Sequence, residues 1–110
     1  MVGRGMPIFV DQHLAEGVPL EVFGRMIQEA EQRLVDVHGV RVLGHWMGGQ
    51  HVYCVLRAPD ADAARQHHAG RGLPCDAIRQ LERLDGIRSG RRRDQLVRAA
   101  VTTFWPSATT

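Results

Sequence analysis

The stretch Val40-Arg41-Val42-Leu43-Gly44-His45-Trp46-Met47-Gly48-Gly49-Gln50-His51-Val52-Tyr53-Cys54-Val55-Leu56-Arg57 decides the fold. Two apolar, β-branched and aromatic runs flank a Gly-Gly pair, and that pair can take the positive φ of a tight hairpin turn. The reading is a strand over Val40–Met47, a turn at Gly48-Gly49 and a second strand over His51–Arg57. Along the latter, Val52, Cys54 and Leu56 face one way and His51, Tyr53 and Val55 the other.

Before the hairpin, Pro7–His13 reads as a strand that opens on a proline, where a missing N–H costs least. Gly17-Val18-Pro19 breaks the chain. Leu20, Phe23, Ile27, Ala30 and Leu34 then recur at helical spacing. That spacing predicts a helix ending at His38, with Gly39 as its left-handed stop. On this reading His38 is a cation favoured by the helix dipole.

After the hairpin, Ala58-Pro59-Asp60 ends the strand and Asp60 N-caps a second helix running to about Ala69. Gly70 and Gly72 close it, and a weak strand follows over Ile78–Leu84. The order β-α-β-β-α-β is the ferredoxin-like arrangement, an α+β fold with an antiparallel sheet whose first strand is central beside the third. It occupies residues 6–84, after a disordered leader over 1–5. Residues 85–110 form a linker, Asp85–Gly90, then a C-terminal helix over Arg91–Phe104 and a short tail.

The composition agrees with one small domain. The chain has 110 residues, 44% of them hydrophobic, with a net charge of +2 in which every basic residue is Arg. That is too apolar for a disordered chain and too weakly charged to call for nucleic acid. The run Arg91-Arg92-Arg93 is too narrow a basic face to change this. Two cysteines are no disulfide framework, and no apolar run approaches the roughly 20 residues that span a bilayer. The expectation is a cytoplasmic protein with reduced thiols, with Cys54 a small buried hydrophobe and Cys75 in an exposed loop.

The unusual number is six histidines. Asp11 and His13 share a strand face. With alternating element directions, His13, His45, His51, His67 and His68 all fall towards one end of the sheet. Imidazoles gathered there suit nickel, copper or zinc, and a carboxylate can complete the shell or orient a ligand; a solvent-open group would favour metal binding, and an enclosed apolar cavity between sheets would favour an enzyme. His67 and His68 sit about 100° apart on a helix and are not expected to hold one ion together. His51 and His68 are expected in solvent.

The residues Met6–His13, His38–Leu43, Trp46, Tyr53–Pro59, His67, Gly72-Leu73 and Ile78 together resemble the small nickel-binding, nickel-responsive ferredoxin-like proteins of actinobacteria, a group otherwise known as a domain of unknown function. The resemblance covers about Met6–Leu84. It implies a homodimer in which two sheets pack as an α+β barrel, with histidine-based nickel binding. His13 and His67 match its pattern best. His45 departs from it, standing where relatives carry Tyr, and Arg71 stands where they often have a second His.

The resulting expectation is a nickel site, with zinc or copper as alternatives, formed by His13 and His67 with His45 or Asp11 assisting. The competing classes are a small dimeric enzyme of monooxygenase or isomerase type, using His13 with Asp11 as a base, and a non-catalytic dimerisation or sensor module.

Overall fold

The computed structural model describes residues 6–73, 77–81 and 93–109. The strands are β1 (Ile8–Leu14), β2 (Arg41–Gly48), β3 (His51–Arg57) and β4 (Ala77–Leu81). The helices among the described residues are α1 (Leu20–Glu31), α2 (Ala61–Ala69) and α3 (Arg93–Phe104). The strands form one antiparallel sheet in the order β2-β3-β1-β4, the order expected of the ferredoxin-like arrangement. The leader Met1–Gly5, Cys75, the Asp85–Gly90 linker, Arg91 and Arg92 lie outside the described residues, as does the expected extension of the last strand beyond Leu81.

The alternation read from β3 divides the core in two. Phe9, Val42, Cys54 and Leu56 point to the face covered by Met26 and Ala30 of α1 and Ala64 of α2. Ile8, Val10, Tyr53 and Val55 point to the opposite face, covered by Val97, Ala100 and Val101 of α3. The sheet is thus buried on both faces within one chain. The face available for a sheet-on-sheet dimer is occupied here by the chain's own C-terminal helix.

The first helix stops earlier than its apolar spacing predicts, at Glu31 rather than His38. Arg33 adopts a left-handed φ of 58°. The N–H of Leu34 bonds the carbonyl of Glu29, and that of Arg33 the carbonyl of Ala30. This is a Schellman stop without the usual glycine, so no residue type announced it. Gly39 does take a positive φ of 80°, but in a turn closed by Asp36, whose Oδ1 accepts from the N–H of His38 and of Val40 at 2.9 Å each. His38 therefore lies in a loop rather than at the end of α1. The N-cap at Asp60 is as expected, its carboxylate accepting from the Ala63 N–H at 2.8 Å.

A β-bulge interrupts β2 between Val42 and Gly44. An extra residue in a strand reverses the side-chain phase beyond it. Val42 faces α1 and α2, so plain alternation would send His45 to the opposite face. The bulge instead pairs His45 with Cys54, on the α1/α2 side.

Two glycines of β2 let α3 and the tail close on the sheet. A Cβ at Gly44 would stand 2.7 Å from Cγ2 of Val97, and one at Gly48 only 1.9 Å from the Ala108 carbonyl oxygen. Trp46 Nε1 donates to that same oxygen at 3.2 Å. Gly48→Ala should therefore force the tail away and lower stability by about 1–3 kcal/mol, the usual range for overpacking. Denaturant unfolding of the full chain measures this, and Gly17→Ala, where nothing lies within 4 Å and φ is not positive, serves as the control without a clash.

Candidate metal centre

The register aligns three side chains in a row across the sheet. His45 of β2 is the partner of Cys54 on β3, and Cys54 is the partner of Asp11 on β1. His13 follows Asp11 on the same face of β1. α2 crosses above them and lowers His68 onto the row. Asp11, His13, Cys54 and His68 each present one ligand atom, all within 4.8 Å of one another, and all four residues are buried.

Element lengths explain why the cluster sits where it does. Asp11 and Cys54 are each the middle residue of a seven-residue strand. α2 rises only about 1.5 Å per residue against about 3.3 Å for a strand. Its nine residues carry His68 to mid-sheet and no further. The expectation of a histidine cluster at one end of the sheet is corrected accordingly: the cluster is central and its four residues are buried. His51 remains at the strand end, with its ring against Tyr53.

Asp11 is the hub. Its Oδ2 lies 2.5 Å from His68 Nε2, and its Oδ1 lies 2.9 Å from His13 Nε2. The His13 and His68 rings meet edge to face at 4.6 Å between centroids. Burial by itself raises the Asp11 pKa. The hydrogen bonds and charges of His13 and His68 outweigh it and hold the carboxyl at about 2. Asp11 is therefore an anion at neutral pH. A completely buried carboxylate is tolerated only with such partners.

Two expected ligands stand beside this group. His67 is 3% exposed and its ring contacts His68 at 5.2 Å, but its Nδ1 lies 2.6 Å from Asp36 Oδ2. Arg71, a turn later, reaches the same nitrogen at 3.3 Å and pairs with Glu29 at 2.5 Å. His67 thus ties α2 to the loop before β2. His45 packs edge-on against Phe23 at 5.6 Å, and its Nε2 is buried without a hydrogen-bond partner. Burial dominates its titration and lowers its pKa to about 4, so its ring is neutral.

His68 and Cys54 are the members that sequence reasoning left out. His68, expected in solvent, is wholly buried. Cys54 is as buried as expected, but it lies next to a carboxylate and two imidazoles rather than in a purely apolar core. Its register opposite Asp11 was the available signal, since the strand pairing β1–β3 follows from the fold.

A family model described as "Nickel responsive protein SCO4226-like" matches residues 9–81. The chain belongs to this nickel-responsive family. The matched region runs from β1 to the end of β4, contains every residue of the cluster, and stops before α3. Neither the curated proteins nor the solved structures compared with this member of the family include a match.

The buried imidazoles set a pH dependence in the metal-free protein. His45 and His67 both titrate lower in the fold than in the unfolded chain, chiefly through burial. Below about pH 6.5 the unfolded chain binds protons that the fold resists. Stability should therefore be full above that pH and fall as pH drops towards 4. Urea unfolding between pH 7 and 4.5 with a chelator present should show this loss, and His45→Phe should flatten the slope.

Proposed function

We propose that the protein binds one divalent transition-metal ion, nickel first, through Asp11, His13, Cys54 and His68. The observation that carries this reading is the cluster: four groups with ligand chemistry, buried together, with their donor atoms within 4.8 Å. An aspartate, two histidines and a cysteine buried together are costly to fold, and His68 Nδ1 is a buried nitrogen with no hydrogen-bond partner. A cation replaces the shared protons as the charge that balances the carboxylate and thiolate.

The donor set is two imidazole nitrogens, one thiolate and one carboxylate oxygen. That mixed set suits nickel, copper or zinc, and excludes calcium and magnesium, which take oxygen shells. The family name favours nickel among them. A general-base role for His13 would need substrate at a ring only 2% exposed, so the ligand reading stands first. Of the ligands expected from sequence, Asp11 and His13 belong to the proposed set. His67 anchors α2 beside it, and His45 flanks it across the row from Cys54.

Binding requires deprotonated ligands, so affinity falls with pH through the imidazole range. Calorimetric titration of untagged full chain with nickel sulfate at pH 7.5 should give one site. Single substitutions Asp11→Asn, His13→Ala, Cys54→Ser and His68→Ala should each weaken it by more than tenfold, while His51→Ala should not. Equal affinity in wild type and Cys54→Ser/His68→Ala would remove this set from the site.

A further inference from the structure

Asp11 and Cys54 belong to a row of cross-strand partners that runs from His45 on β2 through Cys54 on β3 and Asp11 on β1 to Ile78 on β4. The proposed ligands come from β1, β3 and α2. Neither edge strand contributes one. On the β4 side the row ends in Ile78, which offers no donor atom. On the β2 side it ends in an imidazole. Cross-strand partners place their Cβ atoms about 4.5–5.5 Å apart, a gap that an imidazole on one strand spans towards a thiol on the next.

The His45 ring is partly exposed, but its Nε2 is buried without a hydrogen-bond partner, which costs free energy in the metal-free chain. His67 Nε2 and His68 Nδ1 are buried and unanswered too, yet both of those rings are committed. His67 is held by Asp36 at 2.6 Å and faces the Arg71 guanidinium at 3.3 Å. His68 already turns its other nitrogen to Asp11. His45 carries neither restraint; its ring meets Phe23 edge-on at 5.6 Å. It stands outside the group whose donor atoms lie within 4.8 Å, so joining that group requires the ring to turn. The cavity of about 660 Å³ between α1, β2 and α3 borders it and gives it space to do so. The negative charge of Asp11 reaches the ring.

We propose that His45 is a fifth metal ligand, turning inward over Cys54 when the ion binds, and that this donor sets a preference for nickel over zinc. The inference rests on the metal-binding reading above and adds a residue to it. Zinc is satisfied by four donors in a tetrahedron, and Asp11, His13, Cys54 and His68 supply them. Nickel takes tetragonal arrangements, in which a further donor has a place. Answering the bare Nε2 of His45 then favours the nickel-bound form alone. The β2 bulge, which brings His45 to this face of the sheet, becomes part of the site.

Competitive titration of the full chain with nickel and with zinc against a chromophoric chelator, together with X-ray absorption at the nickel edge, tests the ligand. His45→Phe keeps an aromatic ring against Phe23 and removes the nitrogens. It should weaken nickel about tenfold or more, the scale on which a metal site responds to a lost partner. Zinc should stay within about threefold, its four donors being intact. The imidazole scattering around nickel should fall from the rings of His13, His68 and His45 to those of His13 and His68. His45→Ala should show the same nickel loss, and millimolar imidazole should recover it there but not in His45→Phe, where a ring fills the space. Unchanged nickel affinity in both variants, or equal losses for nickel and zinc, would overturn the proposal and make His45 a packing residue. A nickel shell with only two imidazoles in wild type would overturn it as well. Each of these results leaves the four-ligand site standing, whereas failure of wild type to bind nickel would overturn the site and the fifth ligand together.

Discussion

The structure depends on one constraint: an ionised carboxylate, Asp11, with no exposed surface, in the middle of the central strand. An ion in such a place costs several kcal/mol unless its oxygens are answered. Here both are, Oδ2 by His68 at 2.5 Å and Oδ1 by His13 at 2.9 Å. One partner comes from the same strand and the other from α2. Correct docking of α2 and correct pairing of β1 are thus prerequisites for satisfying a single charge. The same arrangement that solves the folding problem collects a thiol and two imidazoles around an anion, which is what a transition metal requires of a protein.

Two departures from regular geometry bring the remaining groups into line. The bulge in β2 reverses the side-chain phase after Val42 and turns His45 towards Cys54. The Schellman stop at Arg33 ends α1 early, and the freed residues loop so that Asp36 meets His67 at 2.6 Å. Without the bulge, His45 would face α3. Without the early stop, Asp36 would lie on a helix and His67 would lose its anchor. Each is a local choice with a consequence two elements away.

These departures also mark what could be read from the sequence. The strands at Ile8–His13 and His51–Arg57 are legible in their runs of apolar, β-branched and aromatic residues, and so are the Asp60 cap and the helical spacing from Leu20 to Ala30. Strand order and the shared face of Asp11 and His13 follow from these, but the buried face of α1 does not: Leu20 and Ile27 of the expected stripe are exposed, and Met26 and Ala30 are the buried residues. A bulge leaves no mark in a sequence such as Val42-Leu43-Gly44-His45, where both phases are apolar. An arginine in the left-handed region is equally silent. The choice of His67 over His68 turned on matching a pattern, whereas the actual arbiter is the rotation of α2 about its axis. Ala64 and His68, four residues apart, share the buried stripe, and that stripe faces Cys54 and Asp11. His67 lies on the adjacent stripe, over the loop. The length of α2 mattered as much. Counting directions places the histidines at an end of the sheet, but counting ångströms per residue places them at its centre.

The C-terminal helix extends the family-matched unit in a particular way. A four-stranded sheet with helices on one face leaves the other apolar, and Ile8, Val10, Tyr53 and Val55 would be exposed there. Such a face demands a cover. In this chain the cover is α3, seated against Gly44 through Val97 and joined by the tail at Gly48 through Ala108. Both contacts require the absence of a side chain on β2, so the sheet is shaped for this helix. A second copy approaching sheet to sheet would have to displace Val97, Ala100 and Val101 from the core they share with β1 and β3. Covering the face internally also fixes α3 beside the edge of β2, where the same helix bounds the cavity that reaches His45. The cover and the cavity wall are thus one element, and loosening α3 would open the core and that cavity together.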